Sequence, residues 1–77
     1  MARSRRRTAQ SEFGSRVRQR RLEVGLTQED LAEQAELHVT YLGGIERGVR
    51  NPALQKILLL AVALDIDPGE LVRGLRP

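Results

Sequence analysis

The sequence has little of what most catalytic sites, metal sites and single-strand-binding surfaces depend on. It has no cysteine and one histidine, so neither a disulfide nor a zinc site is expected to stabilise it. It offers no evident set of nucleophile and base, which argues against an enzyme. Aromatic residues make up 3% of the chain, which argues against binding of single-stranded nucleic acid by stacked rings. We therefore expect no cofactor and no metal.

The chain also lacks an apolar stretch near the roughly 18 residues of a membrane span. Its basic start is not followed by the apolar segment of a signal peptide. We therefore expect a cytoplasmic protein that makes no use of a membrane. With 77 residues it should form one small domain, and so small a core often gains stability from a partner subunit.

Positive charge is concentrated at the start of the chain, although the net charge is only +3. Residues 1–21 contain eight arginines and carry +7, whereas residues 22–77 carry −4. Residues 1–10 are polar and have no periodic apolar positions, so we expect a flexible basic arm ahead of a domain over residues 11–77. Such an arm either contacts DNA phosphates or the minor groove, or remains a solvated tail.

Apolar residues at helical intervals predict five helices and no strands, which gives an all-α, compact five-helix bundle. The first, third and fourth helices are expected at about residues 11–24, 39–47 and 53–64, and the second and fifth begin at Thr27 and Asp67. In the fourth helix, the residues expected to face the core are Leu54, Ile57, Leu58, Ala61 and Leu64.

Capping residues support these helix ends. Ser11 is placed to cap the first helix, and Gly25 to end it in the left-handed conformation. Thr27 and Asp30 have the spacing of a capping box at the start of the second helix, and Glu70 would complete a similar box at the start of the fifth.

The stretch from Gln28 to Arg47 has the pattern of two short helices joined by a tight turn. Small or apolar residues stand where such helices must touch each other: Leu31, Ala32, Ala35, Leu37, Leu42 and Ile45. Ala32 is the most informative, because a large side chain would hold closely crossing helices apart. This is the pattern of a helix-turn-helix, whose second helix lies in the major groove of DNA.

Four motifs follow one another in a specific order: GLTQEDLA, TYLGGIERG, RNP and LDIDPGEL. Together they resemble the Cro and lambda-repressor-like family of helix-turn-helix proteins over about residues 12–73. Within that family the chain looks most like the controller proteins of restriction–modification systems. The resemblance implies a lambda-repressor-like fold and a dimeric regulator of transcription that binds double-stranded DNA.

Two positions depart from the family pattern. Glu36 stands in the turn where glycine is frequent, and it would cost on the order of 1 kcal/mol if φ is positive there. Val39, at the start of the recognition helix, stands where relatives often have arginine or another polar residue. A bidentate contact with guanine is therefore unavailable from this position, and we expect modest direct readout supplemented by DNA shape.

The resemblance and the side-chain chemistry together give a candidate DNA-binding set. It comprises Gln28, His38, Val39, Thr40, Tyr41, Gly43, Gly44, Arg47, Arg50 and Asn51. The resemblance implies that Gln28 holds a phosphate, which fits an amide beside the free N–H groups of a helix start. Gly43 and Gly44 are each unfavourable in a helix by roughly 1 kcal/mol relative to alanine. We expect them to allow close approach to DNA; the alternative is tight packing against a neighbouring helix.

Three members of this set also have a structural interpretation. Tyr41 is either a DNA contact or a half-buried core residue. His38 is expected to cap the third helix rather than to bind a ligand. Arg47 either reaches DNA or pairs with Glu46 or with a carboxylate of the second helix.

Leu59, Val62 and Ile66 form a candidate exposed apolar stripe, which we expect to be a two-fold dimer interface. The alternative is burial beneath the fifth helix or the N-terminal segment. A dimer would place two recognition helices roughly 34 Å apart and predicts a palindromic DNA site.

The expected function is thus sequence-specific regulation of transcription, as in a restriction–modification controller. The expected partners are double-stranded DNA, a second copy of the chain and, for an activator, RNA polymerase. Two alternatives stay open: a phage-type repressor or antitoxin with the same fold, and a protein-interaction module that uses the fold without specific DNA.

Overall fold

The computed structural model describes residues 8–77, and within this range the chain forms five α-helices and no strand. The helices are α1 (Ala9–Glu23), α2 (Gln28–Gln34), α3 (Val39–Arg47), α4 (Leu54–Ala63) and α5 (Pro68–Val72). The predicted all-α bundle is confirmed, and the third helix has the predicted bounds. None of the helices in this range has the length and apolar character needed to cross a membrane.

A single apolar core is shared by all five helices. Its buried members are Phe13, Val17, Leu31, Ala32, Ala35, Leu42, Ile45, Leu60, Ala61, Leu64 and Leu71. The predicted contacts between α2 and α3 are therefore confirmed, with Leu37 partly buried beside them. The most extensive packing between helices joins α1 to α3, so the first helix supports the predicted recognition helix from behind.

The fourth helix buries part of its predicted core face: Ala61 and Leu64 are buried and Ile57 is partly buried against the core, as predicted. Leu60 is fully buried, whereas Leu54 and Leu58 are 69% and 39% exposed. The sequence of α4, LQKILLLAVA, is apolar on almost every side. Periodicity alone therefore did not determine which side meets the core, and the predictions for these two leucines were wrong.

The first helix begins two residues earlier than predicted, at Ala9. Its cap is Thr8, whose hydroxyl oxygen accepts a hydrogen bond from the N–H of Ser11 at 3.0 Å. Ser11 thus lies in the first turn and is not the cap. Residues 8–10 of the predicted arm belong to the capped helix, and residues 1–7 lie outside the described part of the chain.

The other predicted capping signals give one confirmation and one correction. The box of Thr27 and Asp30 is present in both directions. At α5, the Asp67 carboxylate accepts from the N–H of Gly69 at 2.8 Å. Glu70 turns the other way and pairs with Arg73 at 2.9 Å, because an arginine one turn further on offers its carboxylate a charged donor.

Four helices end in the same left-handed reversal, and two of these reversals use an acidic residue in place of glycine. The residues with positive φ at these four helix ends are Gly25 (78°), Glu36 (61°), Gly48 (82°) and Asp65 (53°). In each case the next residue donates its N–H to the carbonyl five residues back: Leu26 to Arg21, Leu37 to Ala32, Val49 to Gly44 and Ile66 to Ala61. The positive φ suspected at Glu36 from the sequence is confirmed.

Replacing Glu36 with glycine is expected to stabilise the domain by about 1 kcal/mol, because glycine adopts a positive φ without the clash of a Cβ atom. Urea unfolding followed by circular dichroism measures the change. Glu33→Gly is the matched control, since it removes a similar exposed side chain from a regular helical position and should cost about 1 kcal/mol. Equal losses in the two variants would show that the turn is not strained by Glu36.

Candidate nucleic-acid interface

The start of α3 presents three consecutive exposed side chains, those of His38, Val39 and Thr40. His38 occupies the N-cap position, but its side chain makes no capping hydrogen bond. The predicted capping role is therefore wrong for the imidazole, which stays at the surface. Together the three residues form the solvent-facing front of the predicted recognition helix, where a hydroxyl and a branched apolar group are available to base edges.

Gly43 and Gly44 are buried, contrary to their predicted place on the exposed face. A Cβ atom on Gly43 would lie 3.2 Å from Nη1 of Arg47, and one on Gly44 would lie 2.9 Å from Cγ of Arg50. The two glycines are covered by long side chains of their own segment. The nearest atoms at Gly43 belong to Arg47 and those at Gly44 to Arg50 and Val49, not to another helix, so tight helix–helix packing does not explain the two glycines.

The close approach between helices occurs instead at Gly14 of α1. A Cβ atom there would overlap the carbonyl oxygen of Ile45 and would lie 2.9 Å from that of Glu46. The backbone of α1 therefore contacts the last turn of α3 directly. A glycine inside an otherwise helical pattern is a known signal of such an approach, and it was the signal available in the sequence.

A buried ion pair joins α1 to α3 just behind the recognition surface. Arg21 donates to both carboxylate oxygens of Glu46, at 2.8 and 3.0 Å, and to the Leu26 carbonyl at 3.0 Å. The side chains of Arg21 and Glu46 are 9% and 3% exposed. Hydrogen bonding to Glu46 raises the pKa of Arg21, so the guanidinium remains charged despite its burial.

Gln28 is held by the same carboxylate. Its Nε2 donates to Glu46 at 3.0 Å, which ties the first turn of α2 to the last turn of α3. A side-chain amide carries two hydrogens, so the second remains available for an acceptor outside the protein. The arrangement is compatible with the predicted phosphate contact and gives Gln28 a fixed orientation.

Three arginines of α1 serve the fold and not a binding surface. Arg21 forms the pair with Glu46. Arg20 donates to the carbonyls of Leu64 and Asp65, both at 3.0 Å, where α4 ends. Arg16 donates to the carbonyl of Arg73 at 2.8 Å, just beyond α5, and to that of Leu71 at 3.3 Å.

The arginine-rich start is therefore not one basic block. On α1, Arg18 is exposed and, among the described residues, has no hydrogen-bond or ion-pair partner. The remaining arginines of that stretch, at positions 3, 5, 6 and 7, lie outside the described residues. The charge count of the sequence overstated what the folded helix offers to DNA.

Two arginines stand at the end of α3: Arg47 is its last residue, and Arg50 lies in the loop that follows. Arg47 and Arg50 are exposed, and within residues 8–77 neither forms a hydrogen bond or an ion pair. The pairing of Arg47 with Glu46 considered for the sequence is wrong, because that carboxylate faces Arg21 and Gln28. The Arg50 guanidinium lies over the ring of Tyr41, 5.6 Å from its centre. Tyr41 itself is half-buried against the core, and Asn51 beside the arginines is exposed.

A second candidate surface lies on α4. Of the predicted stripe, Val62 is 80% exposed, whereas Leu59 and Ile66 are partly buried against the core. The most exposed apolar residues of this helix are Leu54, Leu58 and Val62, which are spaced four apart and so share a face. The exposed apolar ridge is thus rotated relative to the predicted stripe.

Comparisons with known proteins agree in fold and in sequence. The helix-turn-helix family matches residues 17–71. The control protein C.BamHI of Bacillus amyloliquefaciens is 44% identical over 61 residues, which cover 78% of this chain and 75% of that protein.

Two solved structures resemble most of the chain. The restriction–modification controller protein C.AhdI from Aeromonas hydrophila superposes with a TM-score of 0.78 at 52% identity, over 79% of this chain and 92% of that one. The controller protein C.Esp1396I, solved as a tetramer in complex with its natural 35 base-pair operator, gives a TM-score of 0.73 at 35% identity, over 80% and 82% of the two chains.

Proposed function

The chain belongs to the helix-turn-helix family, and from this premise we propose that it regulates transcription by binding a specific double-stranded DNA operator in the cytoplasm. The predicted resemblance to restriction–modification controllers is confirmed by similarity over most of both chains. The observation that carries the proposal is the exposed front of α3 beside two arginines that no described residue neutralises.

The residues divide into base-facing and phosphate-facing groups. Val39 and Thr40 contact base edges and thymine methyl groups in the major groove. Gln28, in the first turn of α2, and Asn51, after α3, donate to phosphates together with Arg47 and Arg50. Because the base-facing group is small and lacks an arginine, DNA shape supplies part of the specificity.

We further propose that the regulated genes are those of a restriction–modification system. C.AhdI and C.Esp1396I are restriction–modification controller proteins, C.BamHI is a control protein, and C.Esp1396I was solved as a tetramer in complex with its operator. A methyltransferase gene and an endonuclease gene beside the coding sequence would support the assignment. In vitro transcription from the selected operator would then distinguish activation, with RNA polymerase as a partner, from repression.

Selection from a pool of random DNA duplexes, followed by sequencing, tests the proposal at near-physiological salt. The expected result is an enriched palindrome whose half-sites lie about one helical turn apart. Substituting single half-site bases should then weaken binding modestly, by about 1 kcal/mol at most positions. Binding that is sensitive to salt but blind to sequence would contradict the proposal and favour a protein-interaction module.

The palindrome requires a dimer, and we propose that it forms through the exposed apolar ridge of α4. Val62→Glu is expected to give a folded monomer in sedimentation equilibrium, because it places a charge on the most exposed apolar position of that helix. Leu22→Glu is the matched control, since Leu22 is 52% exposed on α1 and should leave the dimer intact. A dimeric Val62→Glu protein would place the interface elsewhere. Leu59→Glu is a poorer test, because Leu59 also packs against the core.

We also propose that the basic N-terminal arm contacts DNA, because the start of α1 lies close to the end of the recognition helix. A Cβ atom on Gly48 would lie 2.6 Å from Cα of Ser11, so the first turn of α1 abuts the end of the recognition helix. Seven residues extended at about 3.3 Å each reach roughly 23 Å from there, which suffices to meet the adjacent DNA backbone. Deletion of residues 1–7 should then flatten the salt dependence of operator binding; an unchanged slope would make the arm a solvated tail.

A further inference from the structure

Two arginine side chains lie across the glycines of the recognition helix. Where a Cβ atom of Gly44 would stand, Cγ of Arg50 is 2.9 Å away and Nε is 3.2 Å away. From this position beside Gly44, the Arg50 side chain extends until its guanidinium lies over the ring of Tyr41, 5.6 Å from the centre of the ring. Arg47 lies similarly over Gly43, but only its terminal Nη1 is close, at 3.2 Å.

These guanidiniums differ from the arginines of α1. Arg16, Arg20 and Arg21 each donate to backbone carbonyls or to a carboxylate. Arg47 and Arg50 have no such acceptor among residues 8–77. Their donors are therefore unused by residues 8–77 and are available to an anion beside α3.

The glycines are unfavourable in the middle of a helix, where alanine would be preferred. The atoms nearest to a Cβ at either position belong to side chains of residues 47–50 and not to another helix, so close packing between helices does not account for the glycines. In the free protein, an arginine side chain lies beside each glycine. At Gly44 the nearest atoms are Cγ and Nε of Arg50, so it is the base of that side chain that requires the absence of a Cβ atom. An arginine side chain that is fixed near its base keeps its guanidinium in one region, which reduces the conformational entropy that the side chain loses on binding.

We infer that Gly44 is a positioning residue for Arg50. The contacts of Arg50 with Gly44 and with the ring of Tyr41 together preorganise its guanidinium to bind a DNA phosphate. This rests on the proposed function, because the phosphate belongs to the operator. Gly44 thus acts through an arginine, whereas the sequence had suggested that DNA itself fills the space.

Gly43 provides the matched control. A Cβ atom there meets only the flexible tip of Arg47, which can move aside, whereas one on Gly44 meets Cγ and displaces the entire Arg50 side chain. Both substitutions by alanine bring the same gain in helix propensity. The two variants therefore differ in what happens to Arg50.

The test measures melting temperature and the affinity for the selected operator over a range of salt concentrations. Gly43→Ala should raise the melting temperature by about 4 °C, and any change that it causes in affinity should be the same in an Arg50→Ala background. Gly44→Ala should melt no lower than the parent, yet bind about tenfold more weakly, with a salt slope smaller by about one. In an Arg50→Ala background, Gly44→Ala should have no further effect on affinity.

Each other outcome has a definite meaning. If Gly44→Ala weakens binding equally with and without Arg50, the glycine admits DNA directly and the inference is wrong. If Arg50→Gln leaves the salt slope unchanged, Arg50 contacts no phosphate and the inference is wrong whatever the stability of the glycine variants. A parent protein that selects no operator contradicts the proposed function itself, which these variants leave untouched.

Discussion

Replacing Glu46 with alanine is expected to destabilise the domain by about 3–5 kcal/mol. The substitution leaves the Arg21 guanidinium, whose side chain is 9% exposed, without a counter-charge. Gln28 loses its acceptor in the same step. A domain of this size has a total stability of only about 5 kcal/mol, so the variant should be largely unfolded near 37 °C.

Thermal and urea unfolding followed by circular dichroism measure this loss. Glu70→Ala is the matched control, because the pair of Glu70 with Arg73 is exposed and should contribute less than about 1 kcal/mol. The double variant Arg21→Met with Glu46→Leu should recover most of the stability, since an apolar pair leaves no buried charge. A loss below about 1 kcal/mol in Glu46→Ala would show that water reaches Arg21 and that the pair does not join α1 to α3.

Replacing Gly14 with alanine is expected to destabilise the domain by about 1–3 kcal/mol, although helix propensity alone predicts a gain of about 1 kcal/mol. The added methyl group would overlap the carbonyl of Ile45, which is backbone and cannot rotate away as a side chain would. Relief requires α1 to move from α3. The sign of the change in the free energy of unfolding therefore shows whether helix propensity or tertiary packing has the larger effect at this position.

Urea unfolding gives the sign directly. Gln19→Ala on the exposed side of α1 is the control, and it should change stability by less than about 0.5 kcal/mol. Because α1 supports α3, Gly14→Ala should also weaken operator binding where the protein is still folded. A stabilised Gly14→Ala protein would mean that the two helices have room to separate.

Local signals in the sequence predicted the helices well. Gly48 and the apolar spacing between it and Val39 gave α3 both of its ends, and the Thr27 box gave the start of α2. Glu36 was recognised as a strained position from its place in the turn. These features depend on residues within about five positions of one another, which a single sequence displays directly.

Features that depend on distant residues were missed or misplaced. Arg21 and Glu46 are 25 positions apart, and nothing in the sequence distinguishes Arg21 from the exposed Arg18. On α4 the apolar residues surround the helix, so its packing against α2 and α5 determined which face is buried. For the DNA-binding residues the structure supplies exposure and neighbours, and their contacts with DNA remain predictions.

The hydrogen bonds from arginines of α1 to the carbonyls at the ends of α4 and α5 restrict the substitutions that the sequence tolerates. Arg20 donates to two carbonyl oxygens from Nε and Nη2, and Arg16 donates to a carboxylate from Nε and to two carbonyls from Nη1. A lysine ammonium is a compact point charge and does not bridge acceptors so arranged. Substitution by lysine should thus be tolerated at Arg18 and resisted at these two positions. Among homologous chains, the arginines that never become lysine should mark the scaffold rather than the surface that meets DNA.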